Sequence, residues 1–160
     1  MREHDVEMTH CDMTMVSHTL VANRAAGPIG IAFLLVPQFS MMAFSAAIEP
    51  LRSANRVTER QMFEWRLVSV DGKEVTASNG IAIQVHQALD KLHAIDMLVV
   101  CAGLEPMQFK PSHRLHHQLR RLARHGSLVG AISSGSFILA AAGLLAPAPD
   151  APEASPSQQE

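Results

Sequence analysis

Three short and almost uninterrupted apolar segments constrain the fold of this chain more than any other feature. An amphipathic or small-residue stretch with helical spacing follows each of them. Segments that are apolar throughout are typical of strands in a parallel sheet, because the connecting helices cover both of its faces. The sequence therefore predicts an α/β fold, with a parallel sheet and helices on both faces. The three segments are IGIAFLLV (Ile29–Val36), DMLVVCAG (Asp96–Gly103) and SLVGAI (Ser127–Ile132).

The stretches between these segments predict the remaining elements. Ser40 is of a residue type that caps helices, and the apolar spacing after it predicts a helix to about Val57. Pro50 lies inside that helix and is expected to kink it or to split it in two. A further strand is predicted at Trp65–Val70 and a hairpin turn at Ser78–Gly80. Two more helices are predicted at His113–His125 and Ser136–Leu144.

Length, composition and charge favour one domain. The chain has 160 residues and a formal charge of −2, which allows a single core and gives no overall attraction to nucleic acid or anionic membranes. Residues 28–145 are assigned to the domain. Residues 1–27 are expected to form a flexible leader, and the Pro-, Ala- and acid-rich residues 146–160 a disordered tail.

The sequence carries no sign of export or membrane insertion. Its first residues lack an apolar signal core, and its apolar stretches are interrupted well before the ~20 residues that a membrane span requires. Cys11 and Cys101 lie in unlike surroundings, so neither a disulfide framework nor a C-x-x-C site is indicated. A cytoplasmic location and no cofactor are therefore expected.

The apolar segment that ends at Ile132 passes into Ser133-Ser134-Gly135, here called the elbow, and then into a helix. A residue on such a turn exposes its side chain above a helix N-terminus, which favours a bound carboxylate or an oxyanion. Because the carboxyl ends of parallel strands share one edge, the turns Pro37–Phe39 and Ala102–Gly103 are expected beside the elbow.

A serine nucleophile at the elbow would need a base. Histidine is the usual base, and all nine histidines precede the elbow. The G-x-S-x-G pattern is also met only in part, because residues 131–135 read Ala-Ile-Ser-Ser-Gly. A turn that contacts a ligand is the favoured interpretation, a purely structural turn is the alternative, and catalysis by Ser133 is the least favoured.

Four sequence blocks between residues 29 and 145 carry a family resemblance: FLLVPQFSMMAFSAAIEPLRSANR, WRLVSVDGKEVTASNGIAI, DMLVVCAG and GAISSGSFILAAAGLL. In this order they resemble the ThiJ/PfpI-type domain, of the class I glutamine amidotransferase-like fold, in GlxA-type AraC-family transcription regulators. The resemblance implies a flavodoxin-like three-layer sandwich that senses a small metabolite. It also implies a nitrogenous ligand, whereas the helix N-terminus favours a carboxylated one.

The resemblance implies a sensor rather than an enzyme. Catalytic members of the superfamily carry a cysteine followed by a histidine at the elbow, where this chain has Ser133 and Ser134. The glutamate that tunes the thiol in redox members has no counterpart at Met41–Ala43. A serine-dependent amidase or hydrolase is the alternative, and an interaction module that pairs with intact regulators is a third interpretation.

Regulators of this type continue with the rest of the sheet and a pair of helix-turn-helix units. This sequence has a Pro/Ala-rich segment there instead, so the sheet is expected to be C-terminally incomplete, with an uncovered apolar face. We therefore expect marginal solubility or obligate pairing into a homo-oligomer. DNA contact is expected only through a helix-turn-helix domain absent from this chain.

A second group of candidates lies on the first predicted helix. Glu49, Arg52 and Asn55 fall within two turns, and the family match slightly favours a place beside the ligand pocket. The alternative is a surface ion pair of Glu49 with Arg52, which is worth little. The candidate ligand-binding residues are Ser133, Ser134, Gly135, Ala102, Gly103, Glu49, Arg52 and Asn55.

For three further features, a structural role is favoured over a functional one. His113, His116 and His117 have the spacing of a metal clamp, but no carboxylate or cysteine stands near them in the sequence, so an exposed polar face is favoured. Cys101 is expected to be an inert core thiol. A solvated helix face is favoured over a phosphate-binding surface for the cluster of Arg114, Arg120, Arg121 and Arg124.

Overall fold

The computed structural model describes residues 27–103 and 112–145. The predicted tail, and the predicted leader except for its last residue, lie outside the described residues, so both remain predictions. The strands and helices are β1 (Ile29–Leu35), α1 (Met41–Thr58), β2 (Phe63–Ser69), β3 (Val75–Thr76), β4 (Ala82–Ile83), β5 (Gln87–Ala88), β6 (Met97–Cys101), α2 (His113–Arg124), β7 (Leu128–Ile132) and α3 (Gly135–Ala141), with a 3₁₀ turn at Leu89–Lys91.

Five strands form one parallel sheet in the order β5-β2-β1-β6-β7. The central strand β1 is buried from Ile31 to Leu35, as the apolar segment predicted. β3 and β4 pair antiparallel as a separate hairpin, on either side of the predicted Ser78–Gly80 turn. The prediction of a parallel α/β sheet is confirmed.

The two faces of the sheet are covered by different elements. On one face, apolar side chains of α2 and α3 pack against alternate residues of β1 and β6, with Leu115, Leu119 and Leu122 fully buried. On the other face, α1 and the hairpin cover the remaining residues of the same strands. The rings of Phe33 and Phe39 both meet Phe44 edge-on, at centroid distances of 5.6 and 5.8 Å. The three-layer arrangement is therefore confirmed.

Two details differ from the sequence prediction. Pro50 was expected to kink α1 or to split it in two; α1 is one helix through Pro50, so the division is wrong. Proline removes the hydrogen bond to the carbonyl four residues earlier, which belongs to Ala46; both residues are exposed, so water can reach that carbonyl. The short edge strand β5 was not predicted, because two residues carry no periodic signal.

The arginines of α2 do more than form a solvated face. Arg114 pairs with Asp90 at 2.5 Å, and Arg120 donates to the carbonyl of Ala142, just beyond the end of α3, at 3.2 Å. Arg121 donates to the carbonyl of Leu92 at 2.7 Å. Guanidinium groups reach carbonyls on neighbouring elements because their long stems can lie along the helix surface. Arg120 and Arg121 therefore hold α2 against its neighbours, whereas the largely exposed pair of Arg114 with Asp90 contributes little.

Replacing Arg121 with methionine should separate this structural role from surface charge. Arg121→Met keeps the apolar stem and loses the bond to the Leu92 carbonyl, so the free energy of unfolding should fall by roughly 1 kcal/mol. Arg124→Met, at an exposed position of the same helix, should change it by less than about 0.5 kcal/mol. Urea unfolding measures both, and equal effects would contradict the assignment.

Candidate functional site

Three chain turns meet at the carboxyl edge of the sheet. The N–H of Ser40 donates to the carbonyl of Ala102 at 3.3 Å, which joins the turn after β1 to the turn after β6. The hydroxyl of Ser134 donates to the carbonyl of Gly103, which joins the elbow to the same turn. The structure therefore brings together the turns that strand order predicted to be neighbours.

Two glycines make this close packing possible. A Cβ on Gly103 would overlap the backbone carbonyl oxygen of Gln38, and a Cβ on Gly135 would overlap that of Val100. Neither obstacle is the end of a flexible side chain that could move aside. Both positions therefore require glycine for close backbone approach, without any contribution from an unusual φ angle.

The elbow holds Ser133 in a left-handed conformation. Its φ is 53°, a region that residues with a Cβ adopt rarely and at a cost of about 1–3 kcal/mol. Gln38, on the neighbouring turn, also has a positive φ of 64°. Both side chains are exposed at the same edge of the sheet. Such outliers often accompany binding sites, so this pair marks the edge as a candidate site.

The two elbow serines differ in their surroundings. Ser134 is half-buried, and its hydroxyl bonds the Gly103 carbonyl instead of capping α3. The hydroxyl of Ser133 is exposed and takes part in no hydrogen bond with the described residues. Neither hydroxyl is bonded to a histidine in residues 27–103 or 112–145, so the described part shows no nucleophile–base pair.

Three cavities that the described residues form lie away from the elbow. Two cavities, of about 370 and 460 Å³, lie at the amino edge of the sheet, where His93, His125 and Trp65 line them. A third, of about 490 Å³, lies beside β5 and is bordered by Asp90 and Arg114. The elbow lines none of these three.

The three predicted residues on α1 do not join the elbow. Glu49 and Arg52 are exposed and form an ion pair at 2.7 Å, and this contact is the main reason that the pKa of Glu49 is lowered. Asn55 accepts hydrogen bonds from the N–H groups of Met62 and Phe63 at 2.9 Å and donates to the Phe63 carbonyl at 2.8 Å. Asn55 thus fastens α1 to the start of β2, at the opposite edge of the sheet.

The remaining predicted candidates are the histidines of α2 and Cys101. On α2, His113 and His117 are exposed, while His116 is half-buried and has its pKa lowered, chiefly by desolvation and then by the nearby Arg120. Within the described residues, no three His, Cys, Asp or Glu side chains are grouped as around a metal ion. Cys101 is buried, as expected, and burial raises the pKa of its thiol to about 12. A thiol so protected lacks the reactive thiolate of a redox sensor.

Sequence reasoning missed the part that the hairpin plays at this edge. The N–H of Gln38 donates to the carbonyl of Thr76 at 2.9 Å, and the N–H of Ser78 donates to that of Phe39 at 3.0 Å. The hairpin therefore supports the turn after β1 from the side. No local sequence signal could reveal these bonds, since they join backbone groups far apart in the chain.

The sequence also matches a known protein family. The sequence profile of the DJ-1/PfpI family matches residues 30–148, about three quarters of the chain. The chain belongs to the DJ-1/PfpI family. Two curated relatives are the HTH-type transcriptional regulators CdhR of Pseudomonas aeruginosa, 45% identical over 113 residues, and GlxA of Rhizobium meliloti, 39% identical over 115 residues. These cover 71% and 72% of this chain but only 33% and 36% of each regulator.

Solved structures agree with the family match. An AraC family transcriptional regulator from Pseudomonas putida superimposes with a TM-score of 0.66 at 30% identity, over 74% of this chain and 63% of that one. A DJ-1 superfamily protein from Agrobacterium tumefaciens gives 0.60 at 24% identity, over 72% and 59%, which supports the fold alone. The chain thus spans about a third of the length of the curated relatives it matches. Within the part that the structure describes, no helix combines the length and apolarity needed to cross a bilayer.

Substituting Gly103 should test the packing of the DJ-1/PfpI edge. In Gly103→Ala the new methyl group must displace the Gln38 carbonyl, so the free energy of unfolding should fall by about 2–4 kcal/mol, as for strongly overpacked sites. Gly130→Ala is the matched control, because no atom lies within 4 Å of a Cβ there, and its stability should stay within about 1 kcal/mol of the parent. Similar losses in both variants would contradict this packing.

The buried thiol should give the DJ-1/PfpI domain a measurable pH dependence. The folded protein keeps the Cys101 proton up to a pKa of about 12. The unfolded chain releases it near the ordinary thiol pKa of about 8.5, so stability is complete below that pH and declines as pH rises towards 12. From pH 8 to 10 a Cys11→Ser chain should lose about 2 kcal/mol more than the same chain carrying Cys101→Ala. Equal losses in urea titrations would indicate an accessible thiol.

Proposed function

We propose that this DJ-1/PfpI domain is the ligand-sensing part of an AraC-type transcription regulator and that it catalyses no reaction. The names of its relatives support the regulatory role: CdhR and GlxA are both transcriptional regulators. The observation that carries the proposal is the state of the elbow. It presents an exposed Ser133 hydroxyl in a strained conformation, without a hydrogen-bonded base in the described residues.

The proposed ligand is a small metabolite that lies over the carboxyl edge of the sheet. Ser133, the N–H groups towards Gly135 and the Ala102-Gly103 turn would contact it, while Ser134 holds the elbow against that turn. A carboxylated or nitrogenous metabolite fits exposed hydroxyl and backbone groups that donate and accept hydrogen bonds. Of the α1 candidates, Asn55 supports this site indirectly by fastening α1 to the start of β2, and the cap Ser40 lies at the other end of the same helix. Glu49 and Arg52 form an exposed ion pair with each other.

The non-catalytic assignment rests on the chemistry of the elbow residues. In the proposal, Ser133 and Ser134 stand where catalytic members of the superfamily carry cysteine and histidine. A serine hydroxyl without a base is a poor nucleophile, because its proton is not removed at neutral pH. The same hydroxyl can still read a ligand, since it donates and accepts hydrogen bonds without ionising.

The remaining parts of the proposal follow from the longer relatives. A helix-turn-helix domain outside this chain would contact DNA, and the metabolite would change how that domain binds. The assembly would be a homo-oligomer in the cytoplasm, where transcription regulators meet both metabolites and DNA. The boundaries proposed for the sensing domain are residues 28–145.

A serine-dependent amidase or hydrolase is the second candidate function. One observation favours it: Ser133 has the positive φ and the exposed side chain of a residue on a nucleophile elbow. Against it stands the absence, in the described residues, of a histidine bonded to that hydroxyl. Both candidates place a small molecule over the same turn, so one set of variants can test them together.

A thermal-shift screen with small carboxylates, amides and amino acids should find a compound that raises the melting temperature of this chain. At a concentration of about 100 times Kd the gain in stability is about 2.7 kcal/mol, which is several degrees for a domain of this size. Ser133→Ala should still bind that compound, with a loss of less than about tenfold, because one neutral hydrogen bond is removed.

A bulky substitution at Ser133 and a matched control test where the compound binds. Ser133→Phe fills the space above the turn and should abolish the shift, whereas Ser53→Phe adds the same side chain at an exposed position of α1 and should leave it unchanged. A shift that survives Ser133→Phe in the folded protein would place the ligand elsewhere. Turnover of an amide or ester compound that disappears in Ser133→Ala would favour the hydrolase.

A further inference from the structure

The turn after β1 places a glutamine where glycine is favoured. Pro37 and Gln38 are the central residues of this turn, and the N–H of Phe39 closes it by donating to the carbonyl of Val36 at 3.0 Å. Proline holds its own φ at about −65°, and Gln38 has a φ of 64°, which together define a type II turn. The second central position of such a turn needs a positive φ, which glycine adopts freely and a residue with a Cβ adopts at a cost.

The surroundings of Gln38 prevent its backbone from relaxing. Its N–H donates to the carbonyl of Thr76 in the hairpin at 2.9 Å, and its carbonyl oxygen fills the space that a Cβ on Gly103 would need. A change to a negative φ would rotate both groups out of these contacts. The unfavourable conformation is therefore part of the packing of this edge, and residues held in this way are concentrated at binding sites.

The side chain of Gln38 does not compensate for this conformation. It is exposed and forms no hydrogen bond with the described residues. Asparagine and aspartate tolerate a positive φ because their short side chains can bond the nearby backbone, whereas the amide of glutamine lies one methylene further away. Neither the turn nor its packing requires glutamine, so its amide is the part of the turn that is available to bind a molecule.

The residues that the turns and the hairpin bring to this edge are uncharged. None of residues 36–40, 76–81, 102–103 and 133–135 is an aspartate, glutamate, histidine, lysine or arginine. A charged ligand group would lose water against these residues without gaining an opposite charge from them, which is costly. A neutral group that both donates and accepts hydrogen bonds suits them better.

We propose that Gln38 is a further ligand-binding residue of the sensing site and that its amide recognises a neutral carboxamide group of the metabolite. This inference rests on the proposed function, because it places the ligand over the same edge. The Nε2 group of Gln38 donates to the carboxamide oxygen, and Oε1 accepts from the carboxamide nitrogen, so two parallel hydrogen bonds form. A carboxylate can accept the first bond but cannot donate the second. The turn therefore selects an amide over the acid with the same carbon skeleton.

Replacing Gln38 with glycine tests the conformational cost. Gln38→Gly should raise the melting temperature of the 160-residue chain by about 3–5 °C, because glycine adopts the positive φ freely. Glu59→Gly is the matched control: Glu59 is exposed, has a φ of 51° and follows α1 at the opposite edge of the sheet, so its gain should be similar. A Gln38→Gly chain no more stable than the parent, beside a stabilised Glu59→Gly chain, would contradict the conformational cost on which the proposal depends.

Matched amides and acids test the recognition. The probes are nicotinamide with nicotinate, glutamine with glutamate, and propionamide with propionate, each titrated against the chain in thermal-shift measurements. In at least one pair the amide should bind at least about tenfold more tightly than the acid, since the acid loses one hydrogen bond and keeps an uncompensated charge. Acids that bind as tightly as their amides would show that the carboxamide class is wrong.

Variants at Gln38 assign that preference to its side chain. Gln38→Gly should weaken binding of the amide about 10- to 30-fold through the loss of two hydrogen bonds, whereas Glu59→Gly should bind it as the parent does. Gln38→Glu keeps the side-chain length but lacks the donor, so it should weaken binding about tenfold while the melting temperature stays within about 2 °C of the parent. Unchanged binding by a folded Gln38→Gly chain would overturn the proposal and leave the sensing function standing.

The proposed function fails under a different outcome. If none of the six probes binds but another compound of the wider thermal-shift screen does, the carboxamide class is wrong and the sensing function stands. If no compound of either set binds, the sensing function fails, and the role of Gln38 fails with it.

Discussion

The close approach of Gly103 to the Gln38 carbonyl is the constraint on which the carboxyl edge of this protein depends. It sets the distance between the turns after β1 and β6, and the hydroxyl of Ser134 then draws the elbow onto the same turn. Two of the residues on these turns, Gln38 and Ser133, take up positive φ angles. The edge is therefore a tightly fitted structure, and in the proposed sensor such fitting would lower the entropy cost of ordering a binding surface.

Much of the fold could be predicted because its strands are apolar over their whole length. β1, β6 and β7 were each located within one or two residues, and strand order then placed their turns side by side. The sequence could not decide whether Pro50 kinks α1 or splits it, since the outcome depends on which face of the helix meets solvent. β5 could not be predicted, because it is defined by its pairing with β2 and its two residues are too few to show an alternation of apolar and polar side chains.

The arrangement of the candidate site could be predicted less completely than the fold, and the reason is geometric. Strand ends identify which turns share an edge, so Ser133, Ser134 and Gly103 were found together. Spacing along a helix says nothing about how far down its axis a residue lies from that edge. Asn55 is 15 residues beyond the cap Ser40, or about 22 Å along the axis, which places it at the other edge. Three of the four arginines of α2 likewise contact carbonyls or carboxylates that are distant in sequence.

α1 is held at both of its ends. At the carboxyl edge Ser40 caps the helix and its N–H bonds the Ala102 carbonyl, while at the amino edge Asn55 makes three hydrogen bonds to the start of β2. Pro50 stands between the two attachments, where the ladder of backbone hydrogen bonds lacks one rung. If the turn after β1 moves, α1 can follow in one of two ways. The helix bends at Pro50, or the hydrogen bonds of Asn55 to the start of β2 break. In mechanical terms α1 is a beam clamped at both ends, with a built-in point of weakness between them.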